Sequence, residues 1–575
     1  MKASDYIAAF LEQQGVTTVY EVIGGMITHI IDSLYISGHF KIISMHHEQA
    51  AGFAAEASGR LSKVPGVAMA TSGPGATNLV TAIGSCYFDS SPVVFITGQV
   101  NTYEMSNRPK LRQQGFQETN IVSIVRPITK AVWQVQKIDD LPAILSSAFE
   151  QAASGRPGPV LIDIPMNIQR ENIELKDNLN FATNNQNLNN GDLYELEAFC
   201  KCFWQALKQA QRPLIIAGGG IRTSKTERQF RDFAEKLNLP VVYSLMGADV
   251  LPYNHPLRVG FIGTYGNRWA NKAVMSADLL LVLGSRLDIR QTGAKIKEFQ
   301  AAKQIFHVDI DPQQINNRLS GCDYCISHLS DFFTVFDRKF KSGKNDNRDN
   351  WLNSIKTLKE KYSDCNELNA VKGIHPNLFI HCLTRSSAQA GTFIADVGKN
   401  QMWMAQSMEI NNNQRALFSG GMGAMGFALP AAIGAAFSTN KPVVIITGDG
   451  GLQCNIQELQ TVVHHNLPVK IVVLNNNSLG MVQQFQEDYF QGRLQSTRWG
   501  YSAPDFERIG AAYNIPSQKI EKKEQIEEAL KWLWQDCGHR LLNVIIESDL
   551  PLYPKVAFGK PLDRMAPPTN PDFLR

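Results

Sequence analysis

Apolar residues along this chain follow two alternating patterns. Short runs rich in Val, Ile and Leu predict buried strands, and longer segments with apolar residues three or four positions apart predict helices. Their regular alternation is typical of parallel sheets that helices cover on both faces. The strands predicted in this way are residues 41–45, 67–71, 93–97, 160–164, 214–217, 279–283, 305–310, 443–446 and 471–474. We therefore expect an α/β fold with three doubly wound parallel-sheet domains.

Two polar stretches interrupt this alternation. Residues 178–190 are rich in Asn and have no periodicity, which is typical of a linker, and the charged run 341–350 closes the second segment. The third segment repeats the alternation of the first, so a pseudo-repeat flanks a different central part. The predicted domains are 1–177, 191–340 and 351–550, followed by a tail at 551–575 that contains six prolines.

Composition narrows the class of partner. A chain of 575 residues with 44% hydrophobic content is too long for one core. A net charge of +3 without a basic stripe gives no sign of nucleic acid or an anionic membrane as partner. Nine scattered cysteines indicate free thiols in a reducing compartment, and Ser4 begins a helical pattern rather than a cleavable signal. We expect a cytoplasmic protein that acts on small molecules.

The candidate chemistry centres on residues 445–481, where a strand, a Gly-rich turn, a helical pattern and a second strand follow one another. Asp449 lies in the turn GDGG that ends the first strand, and Asn476 follows the second. Asp-Gly by itself is also an ordinary turn sequence. Polar residues at the carboxyl ends of two successive strands, however, provide hard oxygen ligands for Mg²⁺, and the glycines let backbone N–H groups approach a diphosphate.

Three other stretches have two interpretations each. Glu48 follows a predicted strand and enters a helix of small residues, but a Glu is also favoured in any first helical turn. The turn TSGPGATN at 71–78 suits a ligand or a purely structural role. In the second segment, Gly-rich turns after strands and Asp311 after a later strand suit a dinucleotide, although the G-x-G-x-x-G spacing is absent.

These motifs resemble those of the acetohydroxyacid (acetolactate) synthase family of thiamine diphosphate (ThDP) enzymes. The stretches that carry the resemblance are HEQAAGFAAEASGR, TSGPGATN, GFQET, GSRLDIRQTG, GGMGAMG and NNNSLGM. The resemblance implies a pyrimidine-binding, a central FAD-binding and a diphosphate-binding domain, and therefore ThDP, Mg²⁺ and FAD as cofactors.

The resemblance also implies the site residues. Contacts to ThDP are implied for Gly25, Glu48, Pro74, Asn78, Val397, Gly398, Gly423, Met425, Gly448, Asp449, Gly450, Gly451, Asn476 and Met481. Mg²⁺ ligands are implied at Asp449, Asn476 and the carbonyl group of Ser478. Contacts to FAD are implied for Arg156, Gly218, Gly219, Gly220, Leu245, Met246, Gly284, Arg286, Asp309 and Asp311. Catalytic and substrate-pocket positions are implied at Glu48, Phe116, Gln117, Arg290, Met425 and Phe485.

The implied reaction is the decarboxylation of pyruvate and transfer of its two-carbon unit to a carbonyl acceptor. Glu48 would bond to the aminopyrimidine ring from among small residues such as Ala50 and Ala54, and Met425 would lie beneath the thiazolium. Since Glu48 and the Mg²⁺ ligands belong to different domains, the resemblance implies that they meet across a subunit interface in a homodimer or tetramer.

Departures from the family pattern leave the acceptor open. Phe485 replaces a family Trp that shapes acceptor choice, and Lys399-Asn400 replaces a Gln-His pair. This variant pattern also resembles carboligases of the yersiniose-pathway type, which add pyruvate's two-carbon unit to a nucleotide-linked keto-sugar. The motifs are also compatible with a ThDP/FAD 2-keto acid oxidase, a simple decarboxylase or a non-catalytic ThDP-fold binding protein.

Overall fold

A computed structural model of the chain describes residues 1–106, 108, 110–174, 190–340, 348–368 and 371–568. Its framework is three six-stranded parallel sheets with helices on their faces, which confirms the predicted α/β fold. Every strand predicted from the sequence is present, with ends that differ by no more than two residues. Most of the two polar stretches, at 175–189 and 341–347, lies outside the described residues.

The first sheet is formed by β1 (Thr18–Val22), β2 (Lys41–Ser44), β3 (Gly66–Ala70), β4 (Val93–Gln99), β5 (Ala131–Gln134) and β6 (Pro159–Pro165). Its strand order is β2-β1-β3-β4-β6-β5.

The central sheet is formed by β7 (Pro213–Ala217), β8 (Val241–Tyr243), β9 (Arg258–Phe261), β10 (Leu279–Leu283), β11 (Gln304–Asp309) and β12 (Asp323–Ile326). Its strand order, β12-β11-β10-β7-β8-β9, is the dinucleotide-binding Rossmann order, in which the strand order reverses between β10 and β7 while all strands stay parallel.

The third sheet is formed by β13 (Thr392–Ala395), β14 (Arg415–Phe418), β15 (Val443–Gly448), β16 (Val469–Asn475), β17 (Ser517–Ile520) and β18 (Arg540–Ile545). Its order, β14-β13-β15-β16-β18-β17, repeats that of the first sheet strand for strand. The predicted pseudo-repeat is therefore present in the topology.

Helices join these strands and cover both faces of each sheet. In the first segment they are α1 (Ala3–Gln13), α2 (Thr28–Ser37), α3 (Glu48–Leu61), α4 (Pro74–Asn78), α5 (Val80–Asp89), α6 (Ile121–Val125), α7 (Leu141–Ala153) and α8 (Met166–Arg170). In the second they are α9 (Asn190–Gln209), α10 (Gly220–Thr223), α11 (Glu227–Leu237), α12 (Arg268–Ser276), α13 (Ile289–Thr292), α14 (Ile296–Gln300) and α15 (Leu329–Lys339). In the third they are α16 (Asp349–Lys361), α17 (Pro376–Ser386), α18 (Lys399–Ser407), α19 (Ala428–Thr439), α20 (Asp449–Cys454), α21 (Leu459–His464), α22 (Gly480–Tyr489), α23 (Phe506–Ala512) and α24 (Ile526–Leu533). Across the described ranges, none of the helices has the length and apolarity needed to cross a membrane.

The first and third sheets share a core through the contact of α3 with α19. A Cβ added to Gly434 on α19 would lie 2.0 Å from the carbonyl oxygen of Ala54 on α3, so the two helix backbones touch. Ala50 and Ala54 are fully buried in this contact. The lack of bulk of these small residues allows the two helices to approach each other. That they also surround the Glu48 carboxyl group stays a prediction.

The described part of the C-terminal tail, residues 551–568, packs against earlier residues of the same chain. Its strands β19 (Lys555–Val556) and β20 (Met565–Ala566) form an antiparallel pair. Arg268, which is 1% exposed, donates to the carbonyl oxygens of Met565 and Pro567 at 3.2 and 3.0 Å and forms a 2.6 Å ion pair with Glu367. A buried arginine thus attaches the tail to the central segment.

We predict that Gly434→Ala lowers stability, because the new methyl group would overlap the α3 backbone. Overpacking of this kind typically costs about 1–3 kcal/mol. The control is Gly373→Ala, whose added Cβ would meet only atoms 3.6 and 3.7 Å away. Thermal unfolding should show an earlier transition for Gly434→Ala alone. A wild-type melting curve for Gly434→Ala would mean that the contact between α3 and α19 is not tight.

Candidate active site

Two neighbouring strands bring the predicted metal ligands together. β15 and β16 run parallel, with Gly448 beside Leu474, so both end at the same edge of the sheet. Asp449 follows β15 and is 1% exposed. The side-chain amide of Asn476 lies 3.1 Å from Asp449 Oδ1 and 2.8 Å from the carbonyl oxygen of Ser478.

This donor set fits a hard divalent cation. Without a cation, the amide nitrogen of Asn476 donates to both of these oxygens. With the amide turned by 180°, its oxygen joins them as a third ligand for a cation. Carboxylate, amide and carbonyl oxygens are ligands that Mg²⁺ accepts.

The second oxygen of Asp449 is held by two donors. Tyr501 Oη donates to Oδ2 at 3.0 Å, and the N–H group of Ser478 donates to it at 3.1 Å. Burial raises the pKa of Asp449 to about 6, because a buried carboxylate loses solvation. The sequence pattern does not indicate Tyr501, which lies 52 positions after Asp449 in no recognisable motif.

The Gly-rich turn lies against Met425. A Cβ on Gly450 would be 3.3 Å from Cε of Met425 and 2.7 Å from Leu479, and one on Gly451 would be 2.9 Å from the carboxyl carbon of Asp396. Side chains at these positions would therefore displace the residues that border the turn. Met425 itself is 36% exposed.

Asp396 joins two of the predicted cofactor loops. Its carboxylate accepts hydrogen bonds from the N–H groups of Val397, Gly426 and Ala428 at 2.8, 3.0 and 3.1 Å. Sequence reasoning missed this residue, although it closes β13 just as Asp449 closes β15. The loops that it joins contain Val397, Gly398, Gly423 and Met425.

Lys399 and Asn400, the pair that departs from the family pattern, are buried and donate hydrogen bonds to backbone carbonyl oxygens. Lys399 Nζ donates to the carbonyl oxygen of Leu550 at 2.7 Å, and Asn400 Nδ2 donates to that of Asp396 at 2.6 Å. The Lys399 side chain also passes Gly480, where an added Cβ would be 3.1 Å from Lys399 Cδ. It thus supports the start of α22, the helix that contains Met481.

A second group of predicted residues lies in the first segment. Glu48 begins α3, and Asn78 Nδ2 donates to its Oε2 at 2.9 Å. No residue in the described ranges donates to Oε1, which lies 3.4 Å from the position of a Cβ on Gly75. The turn that contains Pro74 therefore faces a half-buried carboxylate with one oxygen available.

Two other stretches lie against this turn. Gln117 has a φ of 65°, and its Cβ would be 2.9 Å from a Cβ on Gly73. The N–H group of Met26, next to Gly25, donates to Thr71 Oγ1 at 3.3 Å. The structure thus brings together the predicted residues Gly25, Glu48, Pro74, Asn78, Phe116 and Gln117.

Exposed apolar side chains border both groups. They include Ile23, Phe116, Met422, Phe485 and Trp499, which are 57%, 79%, 43%, 51% and 54% exposed. Exposed apolar surface beside candidate catalytic groups is typical of an interface rather than of free solvent-facing surface.

A cavity of about 410 Å³ lies between the central segment and the two others. It brings together most of the predicted FAD contacts, and burial raises the pKa of one of them, Asp309. Those that line it are Arg156, Gly219, Gly220, Leu245, Met246, Gly284, Arg286 and Asp309.

Gly218 and Asp311 are not among the lining residues. A Cβ on Gly218 would lie 2.0 Å from the carbonyl oxygen of Gly284, so Gly218 allows the loops after β7 and β10 to touch. Asp311 pairs with Arg156 at 2.8 Å. Direct FAD contacts from Gly218 and Asp311 stay predictions.

The predicted acceptor residues lie on either side of the tail. Arg290 is exposed, lines the cavity and places Nη2 3.8 Å from Met402 Sδ. Phe485 on α22 packs on Tyr489, with ring centroids 4.7 Å apart. The tail links the two sides, because Lys555 pairs with Asp488 and the N–H group of Val556 donates to Thr264, whose own N–H group donates to Arg290.

Comparison with known proteins agrees with this arrangement. Three family models of the thiamine pyrophosphate (that is, ThDP) enzymes match: the N-terminal TPP binding domain at residues 1–124, the central domain at 200–325 and the C-terminal TPP binding domain at 396–544.

Curated relatives match over nearly the whole chain. The acetolactate synthase isozyme 2 large subunit of Escherichia coli (strain K12) is 34% identical over 560 residues, covering 97% of this chain and 98% of the relative. A probable acetolactate synthase large subunit of Methanocaldococcus jannaschii is 35% identical, covering 96% and 94%. Acetolactate synthase 2, chloroplastic, of Nicotiana tabacum is 35% identical, covering 96% and 84%. Identity of this extent shows that the chain belongs to the ThDP-dependent acetolactate synthase family.

Proposed function

We propose that this protein decarboxylates pyruvate and ligates the two-carbon unit to a carbonyl acceptor, in the manner of an acetolactate synthase. The observation that carries the proposal is the convergence of the Asp449 carboxylate, the Asn476 side-chain amide and the Ser478 carbonyl group at adjacent strand ends. When bound, ThDP supplies the nucleophilic carbon and the electron sink for this chemistry.

The chain's own residues divide the work of binding and orientation. Asp449, Asn476 and the carbonyl group of Ser478 hold Mg²⁺, which neutralises the diphosphate charge. Tyr501 fixes the carboxylate of Asp449 so that Oδ1 faces the cation. Met425, beside the turn, would offer an apolar surface to the bound cofactor.

Glu48 holds a proton at a ring nitrogen of the aminopyrimidine. Asn78 occupies Oε2 and orients the carboxyl group, so that Oε1 is the oxygen available to the ring. A positioned carboxyl group of this kind is a typical acid–base catalyst.

A homodimer, or a tetramer built from it, completes the site. Glu48 and Asp449 belong to the first and the third segment of the chain, and apolar side chains next to both groups are exposed. Apposing two chains would cover these side chains and bring one chain's Glu48 to the other chain's Asp449.

FAD is proposed for the 410 Å³ cavity. The Rossmann strand order and the loops at Gly219 and Gly284 support a dinucleotide there. Decarboxylation and ligation exchange no net electrons, so such a flavin would act structurally. The nine free cysteines support a location in the reducing cytoplasm.

The residues predicted at the acceptor site support a second candidate function. Phe485 is 51% exposed, and Arg290 beside the cavity is not in an ion pair with any residue that the structure describes. A guanidinium group binds a carboxylate or a phosphate through the same pair of parallel N–H donors. Transfer to a nucleotide-linked keto-sugar is therefore the alternative to acetolactate formation.

We predict that Asp449→Ala abolishes Mg²⁺-dependent ThDP binding, because the cation would lose its only charged ligand. Isothermal titration with ThDP, with and without Mg²⁺, measures the effect. The control is Asp163→Asn, another fully buried carboxyl, held by Thr97, Gln99 and Gln134 away from the site. Metal-independent ThDP binding by the wild type would contradict the assignment.

We predict that Glu48→Gln keeps ThDP bound but lowers turnover by about 10²- to 10⁴-fold, the usual effect of losing a positioned acid–base group. Pyruvate consumption and ThDP titration separate the two effects. The exposed Glu150→Gln serves as control. Weakened ThDP binding with unchanged turnover per occupied site would rule out this role for Glu48.

We predict little preference for 2-ketobutyrate over pyruvate as acceptor, because phenyl in place of indole widens the pocket wall at Phe485. Contacts of this kind discriminate by only about 1–3 kcal/mol per methylene. A competition assay with pyruvate, 2-ketobutyrate and a nucleotide-linked 4-keto-sugar, read by mass spectrometry, tests it.

Phe485→Trp should raise the 2-ketobutyrate preference, whereas Phe490→Trp, at the next exposed phenylalanine, should not. A strong 2-ketobutyrate preference in the wild type would show that Phe485 does not relax the site.

A further inference from the structure

A second cavity, of about 260 Å³, lies between the central segment and the third segment. It is lined by Arg258 from β9, Lys359 from α16, His381 and Arg385 from α17, and Glu409 just after α18. None of these residues lines the cavity proposed for FAD. We call it the interdomain cavity.

Arg258 is the unusual residue of the interdomain cavity. It is 7% exposed, and its Nε and Nη2 atoms have no hydrogen-bond partner among the described residues. Its guanidinium carbon lies 4.5 Å from the ring centroid of Tyr243 and 5.5 Å from that of Tyr253. Stacking stabilises the face of the planar cation. The N–H groups of Nε and Nη2, however, point outward in the plane of the guanidinium group and remain without acceptors.

The carboxylates of the cavity are already engaged. Asp364 accepts from His381 Nε2 at 2.9 Å and from Ser407 Oγ. Glu409 accepts from His381 Nδ1 at 2.8 Å and from Arg385 at 2.6 Å. Within the described ranges, neither carboxylate forms an ion pair with Arg258.

Lys359 adds a second positive charge to the interdomain cavity. Its Nζ lies 5.1 Å from the ring centroid of Tyr253, the ring that Arg258 also approaches, and it forms no ion pair with a described residue. Burial, followed by the charge of Arg258, lowers the pKa of Lys359. Two cations thus approach one aromatic ring, and neither forms an ion pair with a described residue, although the charges of Asp364 and Glu409 act on Lys359 from a distance.

A metal ion is the other ligand that this cluster suggests. Ligand atoms of Asp364, Cys365 and His381 lie within 4.8 Å of one another. Both nitrogens of His381, however, face carboxylates. Although burial lowers its pKa, the hydrogen bond to Asp364 raises the pKa of His381 to about 10. A protonated imidazole has no lone pair for a metal, and its charge adds to the positive excess.

We propose that the interdomain cavity binds one small oxyanion, a carboxylate or a phosphate, on the free N–H groups of Arg258 with Lys359 as the second positive contact. A planar guanidinium group presents paired donors that match both anions. α18 connects the cavity to the candidate active site, because it begins at the loop of Val397 and Gly398 and ends at Ser407 beside Asp364.

The test uses the full chain saturated with ThDP, Mg²⁺ and FAD, so that the added phosphate cannot bind at the cofactor sites. Inorganic phosphate and malonate are titrated in separate arms, with chloride keeping the ionic strength constant. Calorimetry should show one anion bound per chain, and the melting temperature should rise with anion concentration. The anion that binds more tightly, phosphate or malonate, shows whether the natural ligand carries a phosphate or a carboxylate group.

Arg258→Met should weaken binding by about tenfold or more, the scale of a charge-assisted hydrogen bond. The matched control is Arg348→Met, another buried arginine, which donates to the carbonyl oxygens of Leu237 and Leu207 outside the cavity. Lys359→Met, at a half-buried position, provides a second variant should Arg258→Met fail to fold, and it should also weaken binding. A thermal response that chloride reproduces, or an affinity that survives Arg258→Met or Lys359→Met, overturns the proposal.

Discussion

The contact between α3 and α19 is the constraint on which the arrangement depends. Gly434 brings the backbone of α19 within touching distance of Ala54 on α3, and through this contact the first and third sheets share one core. Since each helix follows a strand of its own sheet, fixing the two helices fixes the two sheets. The Glu48 group and the Asp449 group are therefore presented on a rigid pair of topologically identical layers.

The first and third sheets have the same strand order but carry different functional side chains at their strand ends. The turn after β15 holds a buried carboxylate among oxygens, which suits a cation and a diphosphate. In the first segment, the half-buried Glu48 is oriented by an amide and faces an open surface, which suits a neutral ring with a titratable nitrogen. The same topology thus supports either half of a cofactor, because side chains at strand ends are replaceable without change to the sheet.

The central segment helps to form the cavity proposed for FAD, and the tail helps to form the surface between Arg290 and Phe485. The Rossmann order opens a cavity where the strand order reverses between β7 and β10, and Gly218 permits the loops after these strands to touch there. Arg268 attaches the tail to the same segment, and Lys555 reaches from the tail to α22. The tail therefore lies between Arg290 and Phe485, so the acceptor surface depends on residues far apart in sequence.

The sequence by itself determined the local features. Periodicity located nine of the eighteen strands in the three sheets, with at least two in each sheet. The polar residues after β15 and β16 predicted the oxygen cluster, because parallel neighbours end at one edge. Only the tertiary structure showed why α3 is rich in small residues and that Tyr501 and Asp396 hold the cluster in place. It also showed that Nε and Nη2 of Arg258 have no acceptor among the residues that the structure describes. These features depend on contacts between segments distant in the chain, and the geometry of such contacts leaves no periodic trace in the sequence.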